Sequence, residues 1–497
     1  MSRQGPVFRA DRLAYPEIPD LPARAAELAD HGFLSIDDAV HLPGAVALLT
    51  AAELRDLARQ AGLPLPTGTR KAGLTQAVLG GFATPTLQQA MERRFRWYVP
   101  LGSDLLRVFR LLFFGTTGAD LTAFVLSDLG KVRFETYPLL SSHRLFTRRE
   151  EIDHALLLRD LRDELAVVLA ESRPEEAPAD VERLTAHLPP AGGHPLLVRS
   201  RRRFLEAAAR FWERRGNPAR ALELYADPET HPARDRRARL LARQGAVPEA
   251  LALARGILAA PRDPAEEEVA ESLVARLSPT SPARRLSIPP VERLLLPGPD
   301  PDRRIEARVL DALTAAGRPG FEAENRFWTS LFGLVCWEVI FLPIPRAFGH
   351  PFQYGPADLF SPEFRPARES AVQACLAALT GDDGWRRRLL TIHERKAGLA
   401  NALVAWDAIP RETLERVLDV LPAAHLAAVC DRLSRNPGGF RTGFPDLFLF
   451  VPEPPGYLLA EVKSPGDKVQ PNQRSWLRFF ARHGIPARVI QVGWQNS

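Results

Sequence analysis

Two short apolar runs near the C-terminus, Leu447–Val451 and Tyr457–Val462, flank a turn containing Pro and Gly. They are the length of strands, too short for buried helices, and rich in aromatic and branched residues, so they predict a β-hairpin. Side chains alternate across a strand, which puts Glu461 and Lys463 on one face. The preceding Tyr-Leu-Leu-Ala marks that strand as buried. A charged pair on a buried strand costs free energy unless something compensates it. Asp446, after Phe444-Pro445, enters the other strand and is expected beside Glu461. The segment after Lys463, SPGDKVQPNQRSWLRFF, predicts a turn and a helix carrying Lys468 and Gln473.

The use of basic residues singles out the same place. Of 65 Lys and Arg residues only five are Lys, at 71, 131, 396, 463 and 468. A chain that almost always uses Arg keeps Lys where Arg would not serve. Lys is compact and its pKa can be tuned, whereas Arg stays protonated. Two carboxylates offer hard oxygen ligands to Mg²⁺ or Mn²⁺. Such a metal lowers the pKa of a bound water and offsets charge on a phosphate, and a lysine can orient or deprotonate that water. Asp446, Glu461 and Lys463 therefore point to metal-assisted phosphodiester hydrolysis.

The rest of the chain reads as helical. Its 497 residues imply two to four domains, and no apolar run is long enough for a membrane helix. The opening residues have no apolar core of a secretory leader. Cys336, Cys375 and Cys430 are far apart and unpaired in pattern, which argues against a zinc finger or disulfide framework and fits buried fillers in a reducing, cytoplasmic setting. The net charge of +5 is mildly in favour of a polyanion partner. Residues 49–80 predict two helices joined by a tight turn, with Arg70 and Lys71 at the second N-terminus, a geometry suited to backbone phosphate. Arg93 to Trp97 (RRFRW) reads as part of an amphipathic helix, with single-strand stacking as the alternative. Residues 150–280 are helical, with Gly216-x4-Ala221 repeating as Gly245-x4-Ala250, each Gly between helices and each Ala at a close crossing. Arg236 and Arg239 share a helix face that could bind phosphate. Residues 278–303 are Pro-rich and read as a linker. A long apolar helix is expected over Phe327–Phe341.

Several of these segments resemble one family. GFPDLFLF and LLAEVKSPGDKVQPNQRSWLRFF are similar to the VRR-NUC version of the PD-(D/E)xK nuclease fold, in which a Gln and a Trp-Leu pair follow the ExK, here Gln473 and Trp476-Leu477. Glu324-Asn325-Arg326-Phe327 leading into SLFGLVCWEVIF resembles the helix before the core in the Fanconi-associated nuclease family. FQYGPADLF, GLANALVAWD and FFGTTGADLTAFVLSDLGKVRFETY resemble further segments of it, and the 49–80 hairpin resembles a SAP motif. The implied fold is multidomain and mostly α: an N-terminal helical region with the SAP-like hairpin over 1–145, tetratricopeptide-like repeats over 146–290, and an α/β nuclease domain over 291–497 with its core at 320–497.

The resemblance implies a structure-selective DNA nuclease, a 5′-flap endonuclease and 5′–3′ exonuclease of interstrand-crosslink repair, acting on flaps, nicks or branched duplexes with a 5′-phosphate end. It implies two Mg²⁺ or Mn²⁺ ions, with Glu324, Asp446, Glu461 and the carbonyl of Val462 as ligands and Lys463 as catalytic lysine. Arg236 and Arg239 would match its pocket for the terminal phosphate, and Arg70, Lys71, Lys468 and Gln473 would contact DNA. The ubiquitin-binding zinc finger of eukaryotic members is not expected, nor a membrane, and the composition suggests a bacterial protein associated with the nucleoid. From the residues alone Glu324 could be a helix-start Glu favoured by the helix dipole, with Glu338, Glu369 and Glu394 competing for its role. Two other readings stand beside the nuclease: a non-catalytic DNA-binding scaffold with a degenerate nuclease fold, and a junction resolvase.

Overall fold

The computed structural model describes residues 7–495 apart from 16–17, 19, 65–67, 119–121, 174, 226–232, 279–288, 382–383 and 455. The chain divides into two compact units, residues 1–111 with 116–120, and residues 112–115 with 121–497.

In the first unit β1 (Phe8–Arg9), β2 (Leu34–Ile36) and β3 (Trp97–Pro100) form an antiparallel sheet in the order β1-β3-β2. The expected hairpin is α1 (Ala51–Gln60) and α2 (Lys71–Gly81). Thr50 starts α1 with a capping box, its hydroxyl taking the Glu53 N–H while Glu53 takes the Thr50 N–H. Leu54, Leu57 and Ala58 of α1 pack against Leu74 and Val78 of α2. The RRFRW segment differs from its expectation as a helix. Helix α3 (Thr84–Glu92) ends before it, and Trp97 opens β3. Phe95 and Trp97 are buried, Arg94 pairs with Asp56 and Arg96 with Asp37, so neither aromatic is presented for stacking on a base.

Early in the second unit, after a helix over Thr122–Asp128, a two-stranded parallel ladder pairs β4 (Arg133–Phe134) with a distant partner, β7 (Leu399–Ala400). Helical hairpins follow: α4 (Arg149–Glu171), α5 (Ala177–Ala186), α6 (Pro195–Arg214), α7 (Pro218–Leu224), α8 (Ala233–Arg243), α9 (Val247–Ala259) and α10 (Pro264–Leu277). The repeated Gly-x4-Ala is explained by this stacking. Gly216 and Gly245 take positive φ just past α6 and α8, ending each helix at a conformation that only Gly adopts without strain. Ala221 and Ala250 are fully buried, where a larger side chain would separate neighbouring helices.

The final third holds a five-stranded sheet, β5 (Val291–Leu296), β6 (Gly320–Glu322), β8 (Leu447–Phe450), β9 (Tyr457–Lys463) and β10 (Ala487–Trp494), in the order β5-β10-β9-β8-β6. The β8–β9 pair is the expected antiparallel hairpin, with Leu447 opposite Ala460. β5 corrects the reading of 278–303 as linker throughout: the apolar run within it, Leu294-Leu295-Leu296, supplies a strand parallel to β10. Helix α11 (Ile305–Ala315) covers one sheet face through Val309 and Leu313, against Leu447, Leu449, Ala460 and Val462. The opposite face carries Phe448, Tyr457 and Leu459 against the helical insertion that begins with α12 (Glu324–Val335) and includes α13 (Ala423–Arg435), and against α14 (Pro471–Arg482). The helix expected over 327–341 is broken at Cys336, between α12 and a short turn at Trp337–Ile340. Trp476 of α14 is fully buried, its ring 4.0 Å from that of Phe444.

α10 and α14 also face one another through charge. Arg432 of α13 lies 2.9 Å from Glu267, both side chains 6% exposed, and Ser475 donates to the same carboxylate. Arg474 pairs with Glu268 and Arg478 with Glu271. This ladder joins the last repeat helix to the nuclease-like core.

Candidate active site

Strand alternation places the central residues. Leu459, Glu461 and Lys463 share one face of β9, while Ala460 and Val462 share the other. Because Leu447 faces Ala460, Asp446 comes beside Glu461 at the mouth of the hairpin. The Asp446 carboxylate accepts the Val462 N–H at 2.7 Å, which fixes its orientation. The Glu461 side chain is fully buried; Lys463 Nζ lies 2.7 Å from its Oε1, and no other donor among the described residues reaches either oxygen. Lys463 itself is 11% exposed.

These surroundings work against charge. Burial, opposed by the Val462 N–H and Lys463, leaves the Asp446 carboxyl raised to about 6. Burial and the neighbouring Asp446 push Glu461 up to about 8 against the pull of Lys463. Two carboxyls so placed disfavour full ionisation of the pair, and a further cation would favour it. The donor set is all oxygen, so it fits a hard divalent ion such as Mg²⁺ or Mn²⁺.

Glu324 starts α12, and its N–H, with that of Ala323, is directed at the Asp446 carbonyl, at 3.3 and 2.8 Å. Its carboxylate, however, pairs with Arg304 Nη2 at 2.6 Å and is 40% exposed. Among the described residues no three His, Cys, Asp or Glu side chains converge closely enough to hold an ion as they stand. Arg304 engages the acids on this side, reaching Glu306 at 3.4 Å and Glu322 at 3.1 Å as well as Glu324. Neither Arg304 nor Glu306 was legible from the sequence. Glu306 lies in the first turn of α11, 22% exposed, and its charge raises the pKa of both Asp446 and Glu461. An acid in the first turn of a helix looks like an ordinary dipole-stabilising residue, and only the fold of β5 and α11 onto the sheet brings it here. The three competitors of Glu324 lie elsewhere: Glu338 is 80% exposed near Lys396, Glu369 pairs with Arg365, and Glu394 with Arg411.

The predicted nucleic-acid contacts fall on both units. Arg70 and Lys71 are exposed in the first unit, at the start of α2. Lys468 is exposed after β9, and Gln473 closes the capping box of α14 by accepting the Gln470 N–H. Arg236 pairs with Glu213 at 2.9 Å and Arg239 lies 3.7 Å from Asp235, so each is partly neutralised.

Comparison with known proteins bears on this geometry. Residues 382–494 match the VRR-NUC domain family. The chain is 33% identical to the Fanconi-associated nuclease 1 homolog of Pseudomonas aeruginosa, across 99% of this chain and 87% of that protein. It is 25% identical to the Fanconi-associated nuclease 1 homolog of Oryza sativa subsp. japonica, across 99% of this chain and 58% of the relative. Among solved structures it is similar to paFAN1 bound to 2nt 5′flap DNA with gap, at a TM-score of 0.78 and 33% identity, covering 100% of this chain and 90% of that one. The same protein bound to 1nt 5′flap DNA with gap gives 0.77 and 34%, covering 100% and 91%.

Proposed function

The chain belongs to the Fanconi-associated nuclease family and is a nuclease, and on that premise we propose that Asp446, Glu461 and Lys463 are its catalytic centre, acting on 5′-flap and related branched DNA in crosslink repair. The observation that carries this reading is Glu461: a fully buried carboxylate beside a second raised carboxylate, with one lysine as its ion-pair partner.

Glu324, Asp446, Glu461 and the Val462 carbonyl would hold the Mg²⁺ or Mn²⁺, two ions in this reading, and the metal would offset phosphate charge and acidify the attacking water. The chain's own groups have separate tasks. The Val462 N–H holds one oxygen of Asp446, which leaves the other oxygen to serve as a ligand. Lys463, drawn to Glu461, stands where an ammonium can orient a water or stabilise charge developing on the scissile phosphate. Glu324 becomes available when it exchanges Arg304 for another cation. Phosphate contacts by Arg70, Lys71, Lys468 and Gln473, and a 5′-phosphate contact by Arg236 and Arg239, belong to this reading as well, as does a cytoplasmic, nucleoid-associated setting with no ubiquitin-binding finger. Among the described residues no helix is long and apolar enough to cross a membrane.

The test is cleavage of an end-labelled 5′-flap with Mg²⁺ or Mn²⁺, comparing the natural protein with Asp446→Ala and Glu461→Ala. Cleavage that survives both substitutions puts the chemistry elsewhere.

A further inference from the structure

The repeat helices α4 and α6 pack together and bring four arginines to one surface. Arg199 and Arg203 are one turn apart on α6, and Arg162 of α4 stands near Arg203 and Arg159. The acids around them are shared with other arginines, though Glu363 and Asp358 also act on Arg199. Asp358 accepts two hydrogen bonds from the buried Arg368, at 2.8 and 3.1 Å. Glu363 lies 3.5 Å from Arg202. Arg159 pairs with Asp163 at 2.8 Å. Arg199 is left with the Ser361 hydroxyl at 3.3 Å. Arg162 and Arg203 have no ion pair or hydrogen bond among the described residues. Burial and the like charge of neighbouring arginines lower the pKa of Arg162, and burial lowers that of Arg199. Same-sign groups held together without enough counter-charge gain free energy when a polyanion arrives.

Their surroundings say which polyanion. Ser361 follows Phe360, a 43% exposed ring that the Arg441 guanidinium covers at 4.9 Å from its centroid. The loop bearing Arg441 packs so tightly on Phe360 that a Cβ at Gly438 would meet the Phe360 carbonyl at 2.7 Å. That loop runs on to Asp446, and Asn325 pins it by accepting the N–H groups of Gly443 and Phe444, at 2.8 and 3.2 Å. A continuous path thus leads from the candidate catalytic carboxylate, over an arginine stacked on an aromatic ring, to this arginine cluster, in which Arg162 and Arg203 have no ion pair among the described residues.

We infer that Arg162, Arg199 and Arg203, continued by Arg441 over Phe360, form a track for the phosphodiester backbone of the DNA strand leading away from Asp446. Arginine suits this task because its planar fork matches phosphate oxygens and stays charged. The inference rests on the nuclease reading and adds to it a location for the substrate strand.

The experiment measures binding of a labelled 5′-flap duplex as a function of salt, with chelator present so that no cleavage occurs. Removing one arginine–phosphate interaction lowers the slope of log Kd against log salt by about one. Arg162→Gln with Arg203→Gln should therefore lower the slope by about two and weaken binding about ten-fold at moderate salt, with the loss in cleavage read in KM. Arg203→Gln alone, an exposed change, should lower it by about one, and Arg203→Lys should restore most of that. The single variant keeps the test open should the double variant not fold. An unchanged slope in a folded variant overturns the track while leaving the nuclease reading intact. A natural protein that binds the flap with these slopes yet cleaves no DNA with Mg²⁺ or Mn²⁺ overturns the nuclease reading instead.

Discussion

Lys463 turns back along its own strand to Glu461, Nζ to Oε1 at 2.7 Å, in a setting where the acid is fully buried and the lysine nearly so. The pair gives the first prediction. Lys463→Arg keeps the charge but replaces a compact ammonium with a broad fork that cannot readily give up a proton. Cleavage should fall about 10²-fold or more, in kcat. An arginine variant with natural activity would mean that only the charge matters.

Asp446→Ala should abolish cleavage and leave DNA affinity within about three-fold, because interactions with backbone phosphate elsewhere supply most of the binding. A gel-shift series run beside the cleavage assay separates the two. Loss of binding in step with loss of cleavage would make Asp446 a structural residue.

The Asp446–Glu461 pair should subtract stability from the metal-free protein as pH rises from about 4 to about 8, while the buried His350, lowered to about 4, contributes in the opposite direction below about 6.5. Asp446 and Glu461 have folded pKa values of about 6 and about 8, above the ordinary carboxylate range near about 4. Across that window the folded pair keeps protons that the unfolded chain has released. Stability rises with pH only where the unfolded state binds more protons, so the pair's contribution falls. In chelator, the melting temperature of the natural protein should fall relative to that of Glu461→Gln across this range, since the histidine contributions are common to both. A difference between the two proteins that stays constant or shrinks as pH rises would contradict the assignment.

Glu306 should matter through the same site. Glu306→Gln removes a negative charge that raises both Asp446 and Glu461. The pH at which the metal-free melting curve breaks should therefore move down, and the Mn²⁺ concentration needed to raise the melting temperature should change. If neither moves, Glu306 is an ordinary first-turn acid.

The Arg432–Glu267 pair should be expensive to break from one side. Glu267→Leu leaves a buried guanidinium uncompensated and should cost about 3–5 kcal/mol in denaturant unfolding. Glu267→Leu combined with Arg432→Met should recover much of that loss. A double variant no better than the single one would show that the surrounding contacts, rather than the pair, hold α10 to α13.

The parts of this molecule that could be read from the sequence are those whose signals are local. The hairpin of Asp446 and Glu461 follows from two apolar runs and a turn, and the alternation of a strand puts Lys463 with Glu461. The cap of α1 follows from Thr50 and Glu53. The parts that escaped depend on distant partners. β5 reads as linker because Pro surrounds it, and it becomes a strand only against β10, almost two hundred residues later in the chain. RRFRW has the composition of an amphipathic helix, but Asp37 and Asp56 claim two of its arginines while Phe95 and Trp97 are needed in the core. Glu306 and Arg304 reach the site only through the packing of α11. Arg236 and Arg239 do share a helix, but whether a shared face is free depends on Glu213 and Asp235, which spacing cannot reveal.

The position of β10 bears on how the molecule is made. It is the last of the five strands to leave the ribosome, yet it lies between β5 and β9, and β5 pairs with nothing else in the sheet. A growing chain can close the β8–β9 hairpin, and so bring Asp446 beside Glu461, before β10 exists, but the edge of β9 then stays open. A ribosome that stalls before Ala487 therefore releases a product with an unpaired apolar strand edge and no Val489, Ile490 or Val492 to fill the sheet, a species that chaperones and proteases recognise and a working enzyme does not leave behind.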